Sequence, residues 1–379
     1  MKIAIIYDLP YPYYLGGAQR RFWELARHLA ARGHTPSLVC MQMWEGPPEL
    51  YREGVRYAGA CPFRSPFNAR GNRSMIQPLL FTWHVYRYLR REPFDLIDCA
   101  EMPYLTALAA RVAIRGRATK LAVTWHEARG VKGWVAYTGW AGLIAAFFER
   151  LLGRLSRHNI AISEDTAERC RRILGIGHMA VVPCGVDVTA AQSLPPGPRI
   201  DQILHVGRLV RHKQAAWAIE AFAALQQNRP DCLLKIIGTG YLKADLVALA
   251  EGLGLDDRVR FVDGVSEEEL WQEYARSQVL LFPSSQEGFG MVLVEAMATG
   301  TPVVALDAPN SAAGTILTTG VDGVLVRSQD EMTAALQGLL TDAGLWQSIS
   351  AGARATARKY DWTPIVDNLE RFYQNVVAG

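Results

Sequence analysis

Several kinds of site are missing from the sequence, and their absence narrows the possible functions. The six cysteines are scattered along the chain, at Cys40, Cys61, Cys99, Cys170, Cys184 and Cys232. They contain no C-x-x-C pair, which argues against a zinc site or a disulfide framework. The chain has no D-x-D sequence of the kind that holds a divalent metal, and His126-Glu127 lacks the second histidine of an H-E-x-x-H zinc motif. We therefore expect neither a metal nor another cofactor.

Long apolar runs and a signal peptide are lacking as well. The longest uncharged run extends over 16 residues from Gly133 to Phe148 and contains three glycines, so it is a poor candidate for a membrane span. Met1 and Lys2 lead directly into an apolar, strand-like segment. These features predict a cytoplasmic protein, with a peripheral position at the inner face of the membrane as an alternative.

What the chain does have is enough length for two domains and an uneven distribution of charge. Half of the 379 residues are hydrophobic, which allows a large core. The net charge is only +3, but residues 1–190 carry +10 and residues 191–379 carry −7. The basic half suggests an anionic partner, such as a phosphate-bearing molecule or an anionic membrane surface. A solvated basic face without a partner fits equally well.

The most informative stretch is residues 283–300. Val279–Phe282 is a short apolar run that predicts a buried strand, and Pro283 ends it. An apolar helix should follow as far as Gly300, a glycine in the position typical of a helix end. Glycines on both sides of Phe289 would leave backbone N–H groups open at the start of this helix, where phosphate binds readily.

Two carboxylates flank this candidate phosphate site. Glu287 precedes the helix, and Glu295 lies inside it, roughly 12 Å further along the axis. That separation disfavours a pair of hydrolase carboxylates acting on one bond. It suits two groups that hold different parts of one long ligand.

These residues resemble the E-x7-E motif of the retaining GT-B glycosyltransferases of family GT4. Glu287 and Glu295 enclose Gly-Phe-Gly-Met-Val-Leu-Val, and Ala-Met-Ala-Thr-Gly-Thr-Pro-Val-Val follows. Residues 181–187 are similar to the P-x-G-V-D signature between the domains of that family. Residues 207–213 are similar to its G-R-x-x-x-x-K motif, although Gln214 replaces the usual glycine. The resemblance covers essentially the whole chain and implies an α/β fold of two Rossmann-like, doubly wound domains that face each other across a cleft.

The resemblance also implies a division of labour between the domains. Residues 1–190 would bind the acceptor, residues 199–360 the nucleotide sugar, and residues 361–379 would form a helix that crosses back to the first domain. Gln192–Pro198, with its three prolines, is predicted as the linker.

In the C-terminal domain the implied catalytic residues are Arg208, Lys213 and Glu287. Without a metal, the two fixed cations would offset the growing charge on the departing diphosphate. Glu287 would hold the sugar hydroxyls and Glu295 the ribose hydroxyls. The other implied donor contacts in this domain are Gly207, Gly238, Val262, Gly288, Phe289, Gly290, Met291 and Val292.

In the N-terminal domain the resemblance points to Gly16, Gly17 and His126. The glycine pair lies in the first strand-to-helix turn and would approach the donor diphosphate, although a plain tight turn is the alternative. His126 follows the predicted strand Lys120–Thr124 and would contact the transferred sugar, whereas an isolated histidine is often structural. Leu-Gly-Gly-Ala does not match the G-x-G-x-x-G fingerprint, which disfavours an oxidoreductase.

Two segments stay open. Residues 45–80 are rich in Pro, Arg, Gly and Asn, and their loop, with Arg64, Arg70 and Arg73, could line an acceptor cleft or lie on a membrane. Leu143–Leu155 predicts an amphipathic helix. Burial against the domain is the default for this helix, and an edge that faces a membrane or an acceptor is the alternative.

The implied reaction is retaining transfer of a hexosyl or N-acetylhexosaminyl group from a nucleotide-diphosphate sugar, UDP- or GDP-linked. The acceptor would be a glycan, a lipid-linked molecule or a small molecule, and no nucleic acid partner is expected. The alternatives with the same fold are a nucleotide-sugar 2-epimerase, a disaccharide phosphorylase or synthase, and a non-catalytic module that binds sugar nucleotides.

Overall fold

The computed structural model describes residues 1–65, 76–194, 199–226 and 229–379. The chain forms two compact units. Unit 1 contains Met1–Cys184 and Trp362–Gly379, and unit 2 contains Gly185–Asp361. Arg70, Arg73 and the proline-rich residues 195–198 of the predicted linker lie outside the described residues.

Unit 1 alternates strands and helices, as the sequence predicts. Its elements up to Cys184 are β1 (Lys2–Ile6), α1 (Gly17–Ala31), β2 (Thr35–Gln42), β3 (Glu49–Arg52), β4 (Val55–Pro62), α2 (Ile76–Arg91), β5 (Leu96–Ala100), α3 (Tyr104–Ala113), β6 (Lys120–Trp125), α4 (Gly130–Thr138), α5 (Gly142–Leu155), β7 (His158–Ala161), α6 (Glu164–Arg169) and β8 (Ala180–Val181). The strands form one sheet in the order β3-β4-β2-β1-β5-β6-β7-β8, parallel except for β3. Because β1 and β5 are neighbours, the strand order reverses between them, which is the usual position of a ligand crevice.

Helices α2, α3 and α5 cover one face of this sheet. Phe81 of α2, Ala107 of α3 and Leu152 of α5 belong to one buried apolar cluster with sheet residues such as Val39 and Val123. These helices can pack there because each presents an apolar stripe to strands that are apolar on both faces.

Unit 2 repeats this plan. Its elements are α7 (Val188–Gln192), β9 (Gln202–Val206), α8 (Ala215–Ala223), β10 (Leu233–Ile237), α9 (Lys243–Gly252), β11 (Val259–Val262), α10 (Glu267–Arg276), β12 (Val279–Phe282), β13 (Gln286–Glu287), α11 (Met291–Ala298), β14 (Val303–Leu306), β15 (Asn310–Ser311), α12 (Ala313–Ile316), β16 (Val324–Val326), α13 (Gln329–Thr341) and α14 (Ala343–Ala357). The main sheet has the order β11-β10-β9-β12-β14-β16, and all its pairs are parallel. The order reverses between β9 and β12. Both units are therefore Rossmann-like, doubly wound α/β folds of the GT-B type.

The last helix, α15 (Trp362–Ala378), belongs to unit 1. Its Tyr373 hydroxyl donates a hydrogen bond of 2.6 Å to the buried carboxylate of Asp98 at β5, and Thr124 of β6 donates one of 2.7 Å to the same group. Arg32 of α1 pairs with Asp367 and Glu370 on the exposed side of the helix. The helix is thus fixed to unit 1 by both apolar and polar contacts.

Two predictions about chain organisation were wrong in detail. The first domain was predicted to extend to residue 190, but unit 2 already begins at Gly185, because the Val186 N–H donates to the carbonyl of Tyr360 within unit 2. Residues 45–80 were predicted as a loop, but β3 and β4 form an antiparallel hairpin and α2 begins at Ile76. None of the described helices has the length and apolar character needed to cross a bilayer.

Candidate active site

The residues predicted to bind the donor in unit 2 lie at one edge of its sheet. Gly207 and Arg208 directly follow β9, Gly238 follows β10, and Val262 ends β11. Glu287 lies in the loop after β12. Because these four strands are neighbours and parallel, their carboxyl ends share one edge, and the strand order reverses there. The structure thus brings together residues that are up to 80 positions apart in the sequence.

Backbone hydrogen bonds join the loops at this edge. The Gly207 N–H donates to the carbonyl of Ile237 at 3.0 Å. The Leu209 N–H donates to Thr239 at 2.8 Å, and the Ser285 N–H donates to His212 at 2.9 Å. The loops after β9, β10 and β12 therefore form one connected platform.

Gly238 can only be glycine in this arrangement. Its φ is 150°, and a Cβ built on it would lie 1.9 Å from the carbonyl oxygen of Gly207. Its N–H donates to the carbonyl of Val262 at 2.8 Å. The close backbone approach that the sequence suggested at Gly238 is thus an approach to the loop after β9.

Two of the predicted catalytic residues form an ion pair with each other. The Lys213 ammonium donates to the carboxylate of Glu287, and both side chains are 15% exposed. The ammonium also lies over the ring of Phe282, 5.7 Å from its centre. Burial and the nearby Arg208 lower the pKa of Lys213 from its usual value to about 7, and the Glu287 carboxylate opposes this lowering.

Arg208 complements this pair. Its residue is exposed, and it forms no ion pair with another residue that the structure describes. Lys213 ends a short turn, Arg211–Lys213, and Gln214 follows with a φ of 49° and a ψ of 40°. That left-handed conformation explains why glycine is the usual residue of the resembled motif at this position.

Helix α11 begins with an open backbone. Gly290 precedes it with a φ of 93°, and no side chain caps the helix. The sequence predicted this start and also the glycine end, where Gly300 has a φ of 75°. Gly288, Met291 and Val292 are partly exposed at the start of the helix.

The interior of α11 is more enclosed than the sequence suggested. Phe289 is 4% exposed and packs edge to face on Tyr360, with ring centres 5.5 Å apart. Glu295 is 5% exposed, and its carboxylate accepts a hydrogen bond of 2.8 Å from the Tyr274 hydroxyl. Tyr274 therefore helps to position a carboxylate for which the sequence had indicated no partner.

In unit 1, Gly16 and Gly17 lie at the first turn, as predicted. Gly16 precedes α1 in an extended conformation, without a side-chain cap, and both glycines are exposed. A Cβ at Gly16 would lie 2.4 Å from the side-chain oxygen of Gln19, so a larger residue would displace that side chain.

His126 forms a dyad with Glu101, a residue that the sequence analysis missed. Its ring Nδ1–H donates to Glu101 Oε2 at 2.8 Å, and its backbone N–H donates to Oε1 at 3.0 Å. The Glu101 side chain is 2% exposed, and the His126 Nε2 is buried with no hydrogen-bond partner among the described residues. Because a carboxylate only accepts hydrogen bonds, the dyad places the proton on Nδ1 and leaves Nε2 available to a ligand.

The signal that could have identified Glu101 is topological. Glu101 directly follows β5 and His126 directly follows β6, and these strands pair in parallel. Their carboxyl ends must therefore lie side by side. The described residues contain no group of three or more His, Cys, Asp or Glu side chains arranged to hold a metal ion.

Comparison with family models covers most of the chain. Residues 16–185 match "Glycosyl transferase 4-like domain" and residues 191–356 match "Glycosyl transferases group 1". The two matches together include every predicted site residue.

Individual proteins are similar over different lengths. The chain is 30% identical over 399 residues to a phosphatidyl-myo-inositol mannosyltransferase of Mycobacterium tuberculosis (strain ATCC 25618 / H37Rv), covering 100% of this chain and 98% of that protein. It is 31% identical over 255 residues to a D-inositol 3-phosphate glycosyltransferase of Nocardiopsis dassonvillei, covering 61% of this chain and 58% of that protein. Among solved structures, a sucrose-phosphate synthase from Thermosynechococcus elongatus has a TM-score of 0.82 at 21% identity, covering 100% and 99% of the two chains.

Proposed function

Because this chain belongs to the glycosyl transferases group 1, family GT4, and is a glycosyltransferase, we propose that it transfers a hexosyl group to an inositol phosphate. The donor is a nucleotide-diphosphate sugar, UDP- or GDP-linked, and transfer retains the anomeric configuration, as in the resembled family. The acceptor carries inositol and a phosphate ester, either free or as a phosphatidylinositol lipid.

The Lys213–Glu287 ion pair is the observation that best supports the donor side of this proposal. It places a cation and a carboxylate side by side at the point where the strand order reverses, with Arg208 nearby. A diphosphate would compete with Glu287 for the Lys213 ammonium, because phosphate oxygens carry more negative charge. Once displaced, the Glu287 carboxylate could accept hydrogen bonds from sugar hydroxyls.

The start of α11 would add to the charge stabilisation. Open N–H groups near Phe289, Gly290 and Met291 suit a phosphate that gains charge as the bond to the sugar breaks. Glu295 is assigned to the ribose hydroxyls, and the backbone around Gly238 and Val262 to the base. The roles of Gly16, Gly17 and His126 at the donor stay predictions, as does catalysis without a metal.

The acceptor assignment depends on the relatives and on charge. Two relatives with different names share an acceptor chemistry in those names, an inositol that carries phosphate. The net charge of +10 on residues 1–190 favours such an anionic acceptor.

The test is a transfer assay with the purified chain and a panel of UDP- and GDP-sugars. Each donor is offered with inositol phosphate, with phosphatidylinositol in detergent, and with no acceptor. We expect a glycosylated inositol product from one donor, detected by mass spectrometry. Product from neither inositol acceptor would refute the acceptor proposal, and epimerised donor in the sample without acceptor would instead indicate a 2-epimerase.

A matched pair of variants tests the site itself. Lys213→Ala is expected to lower turnover by roughly 10²-fold or more, as loss of a charge-stabilising donor does. Arg260→Ala removes an exposed cation from β11 and should leave turnover unchanged. Unchanged turnover in the Lys213 variant would remove this residue from the mechanism.

A further inference from the structure

Unit 1 carries a helical hairpin whose base is firmly anchored. Helices α4 and α5 approach so closely that a Cβ on Gly142 would lie 2.3 Å from the carbonyl oxygen of Trp134. The buried carboxylate of Glu149 accepts hydrogen bonds from the backbone N–H groups of Arg129 and Gly130 and from the Tyr104 hydroxyl. Its position is therefore set by unit 1, and the hairpin is no loose appendage.

The outer side of this hairpin is strongly apolar. Its exposed apolar side chains, with their exposed fractions, are Val131 (56%), Val135 (39%), Tyr137 (58%), Trp140 (80%), Leu143 (54%), Ile144 (49%) and Phe147 (62%). Leaving so many large apolar groups in water is unusual for a monomeric surface, and such patches mark interaction sites. We call these seven side chains the hairpin patch.

The charges beside the hairpin patch all have one sign. Lys132, Arg150, Arg154 and Arg157 are exposed, and none of them forms an ion pair with another described residue. The single acidic residue of the segment 131–157 is Glu149, which is completely buried. The hairpin therefore offers apolar side chains and cations to the solvent, without one exposed carboxylate.

Helix α2, which covers the same face of the sheet, shows the same pattern. Its N-terminal half exposes Ile76, Leu79, Leu80 and Trp83, and its C-terminal half exposes Arg87, Arg90 and Arg91. In α5 the apolar residues likewise precede Arg150 and Arg154. Since both helices follow parallel strands, their N-terminal halves lie toward the carboxyl edge of the sheet.

We propose that the hairpin patch is a docking surface for an anionic phospholipid bilayer. Trp and Tyr side chains are favoured at the level of the lipid headgroups, where an apolar ring and a polar atom are both accommodated. A helix that lies in this interface buries its apolar face while its Lys and Arg side chains attract anionic lipids. The hairpin patch and its four cations meet both requirements.

The charge pattern disfavours the other occupants. A second copy of this chain, docked symmetrically, would place four cations against four cations across the interface. Nucleic acid would match the charge, but the aliphatic side chains Val131, Leu143 and Ile144 would gain little from it. The surface does not depend on the proposed transfer reaction, because it is defined by exposure and charge alone.

The test is flotation of the full chain with vesicles. One set of vesicles contains phosphatidylcholine alone, and the other contains three parts phosphatidylcholine to one part phosphatidylglycerol. We expect the chain to float with the anionic vesicles, to float poorly with the neutral ones, and to be released by salt. No flotation with anionic vesicles would overturn the proposal.

Paired variants separate the two contributions. Trp140→Ser combined with Phe147→Ser should lower the partition coefficient roughly tenfold or more, because two apolar side chains no longer enter the interface. Arg150→Gln combined with Arg154→Gln should also lower it roughly tenfold or more, on anionic vesicles only. Tyr51→Ser combined with Arg52→Gln changes an exposed aromatic residue and a cation on β3, and should have no effect.

Further measurements keep the result unambiguous. All substituted side chains are exposed, so the variants should unfold at the temperature of the parent. Sedimentation that shows a dimer of the parent, lost in the Trp140 and Phe147 variant, would assign the surface to a second copy and overturn the proposal. Transfer to soluble inositol phosphate should be equal in parent and variants without vesicles, so failure of the reaction and failure of docking are seen separately.

Discussion

At the scale of single residues, Lys213 offers a test by protonation. Its pKa of about 7 in the unliganded chain means that the side chain becomes neutral as the pH rises above 7. A bound diphosphate favours the ammonium and raises this pKa, so nucleotide binding at pH 8 should take up close to one proton. Affinity for the nucleotide diphosphate should then fall with rising pH, at most about tenfold per pH unit.

Calorimetric titration in two buffers with different ionisation enthalpies measures this proton uptake directly. Lys213→Arg provides the control, because a guanidinium stays charged throughout and should abolish the uptake. An equal uptake in the arginine variant would show that another group titrates.

Glu101 is the second residue with a specific expectation. In Glu101→Gln the amide keeps the shape of the side chain but places an NH₂ group or a single acceptor oxygen against His126. The histidine then loses the carboxylate that holds its proton on Nδ1, and we expect turnover to fall roughly tenfold or more, as with other orienting partners of histidine. The KM for the donor should change less than kcat if the effect acts through the tautomer.

Nitrogen NMR of His126 distinguishes this role from a merely structural one. The parent should show a protonated Nδ1, and the glutamine variant should show a shifted tautomer population with an unchanged melting temperature. A loss of turnover with the tautomer unchanged would contradict the positioning role of Glu101.

At the scale of single elements, the start of α8 carries strain that one substitution can release. Gln214 has left-handed backbone angles, and its side-chain oxygen is buried without a hydrogen-bond partner among the described residues. That conformation costs a non-glycine residue about 1–2 kcal/mol. Gln214→Gly should therefore raise the free energy of unfolding by about 0.5–1 kcal/mol, after the entropy of the more flexible unfolded chain is subtracted.

Denaturation in urea, monitored by the fluorescence of the chain's tryptophans, measures this change. Gln214→Val is the informative counterpart, because a β-branched residue tolerates a positive φ poorly and should lower the stability. If the glycine variant were less stable than the valine variant, the strain assigned to this turn would be absent.

The same scale shows where local sequence signals suffice. Strands β10 and β12 have the predicted bounds, because a short run that is apolar on both faces can hardly be anything but a buried parallel strand. Helix α4 and the hairpin of β3 and β4 were missed, since glycines, prolines and aromatic residues obscure their periodicity. The Glu101–His126 dyad was missed because it joins residues 25 positions apart through strand pairing, which no local pattern encodes.

A related case is the acidic first turn of α10. The run Glu267–Glu269 was interpreted as a solvated turn that suits the helix dipole. The structure adds a specific partner, because the Glu269 carboxylate accepts the Ser266 N–H while the Ser266 hydroxyl accepts the Glu269 N–H. This capping box could have been read from the Ser-x-x-Glu spacing.

At the scale of the whole molecule, unit 1 is assembled from both ends of the chain. Helix α15 buries six apolar side chains within unit 1, namely Trp362, Ile365, Val366, Leu369, Tyr373 and Val376. Each buried side chain of this kind contributes about 1.5–3 kcal/mol. Their sum is comparable to the whole stability of a typical domain, about 5–15 kcal/mol. The first 184 residues alone should therefore not hold unit 1 together.

A chain that ends at Asp361 tests this expectation. Its β5 and β6 should exchange their amide hydrogens far faster than in the full chain, because Asp98 loses Tyr373 and the sheet loses its apolar cover. Strands β9 and β10 should keep their protection, since α15 lies in the other unit. Removal of only residues 377–379 is the matched control and should change neither set of strands. Hydrogen exchange followed by mass spectrometry reports both units in one experiment, and full protection of β5 and β6 in the shortened chain would show that α15 is dispensable for unit 1.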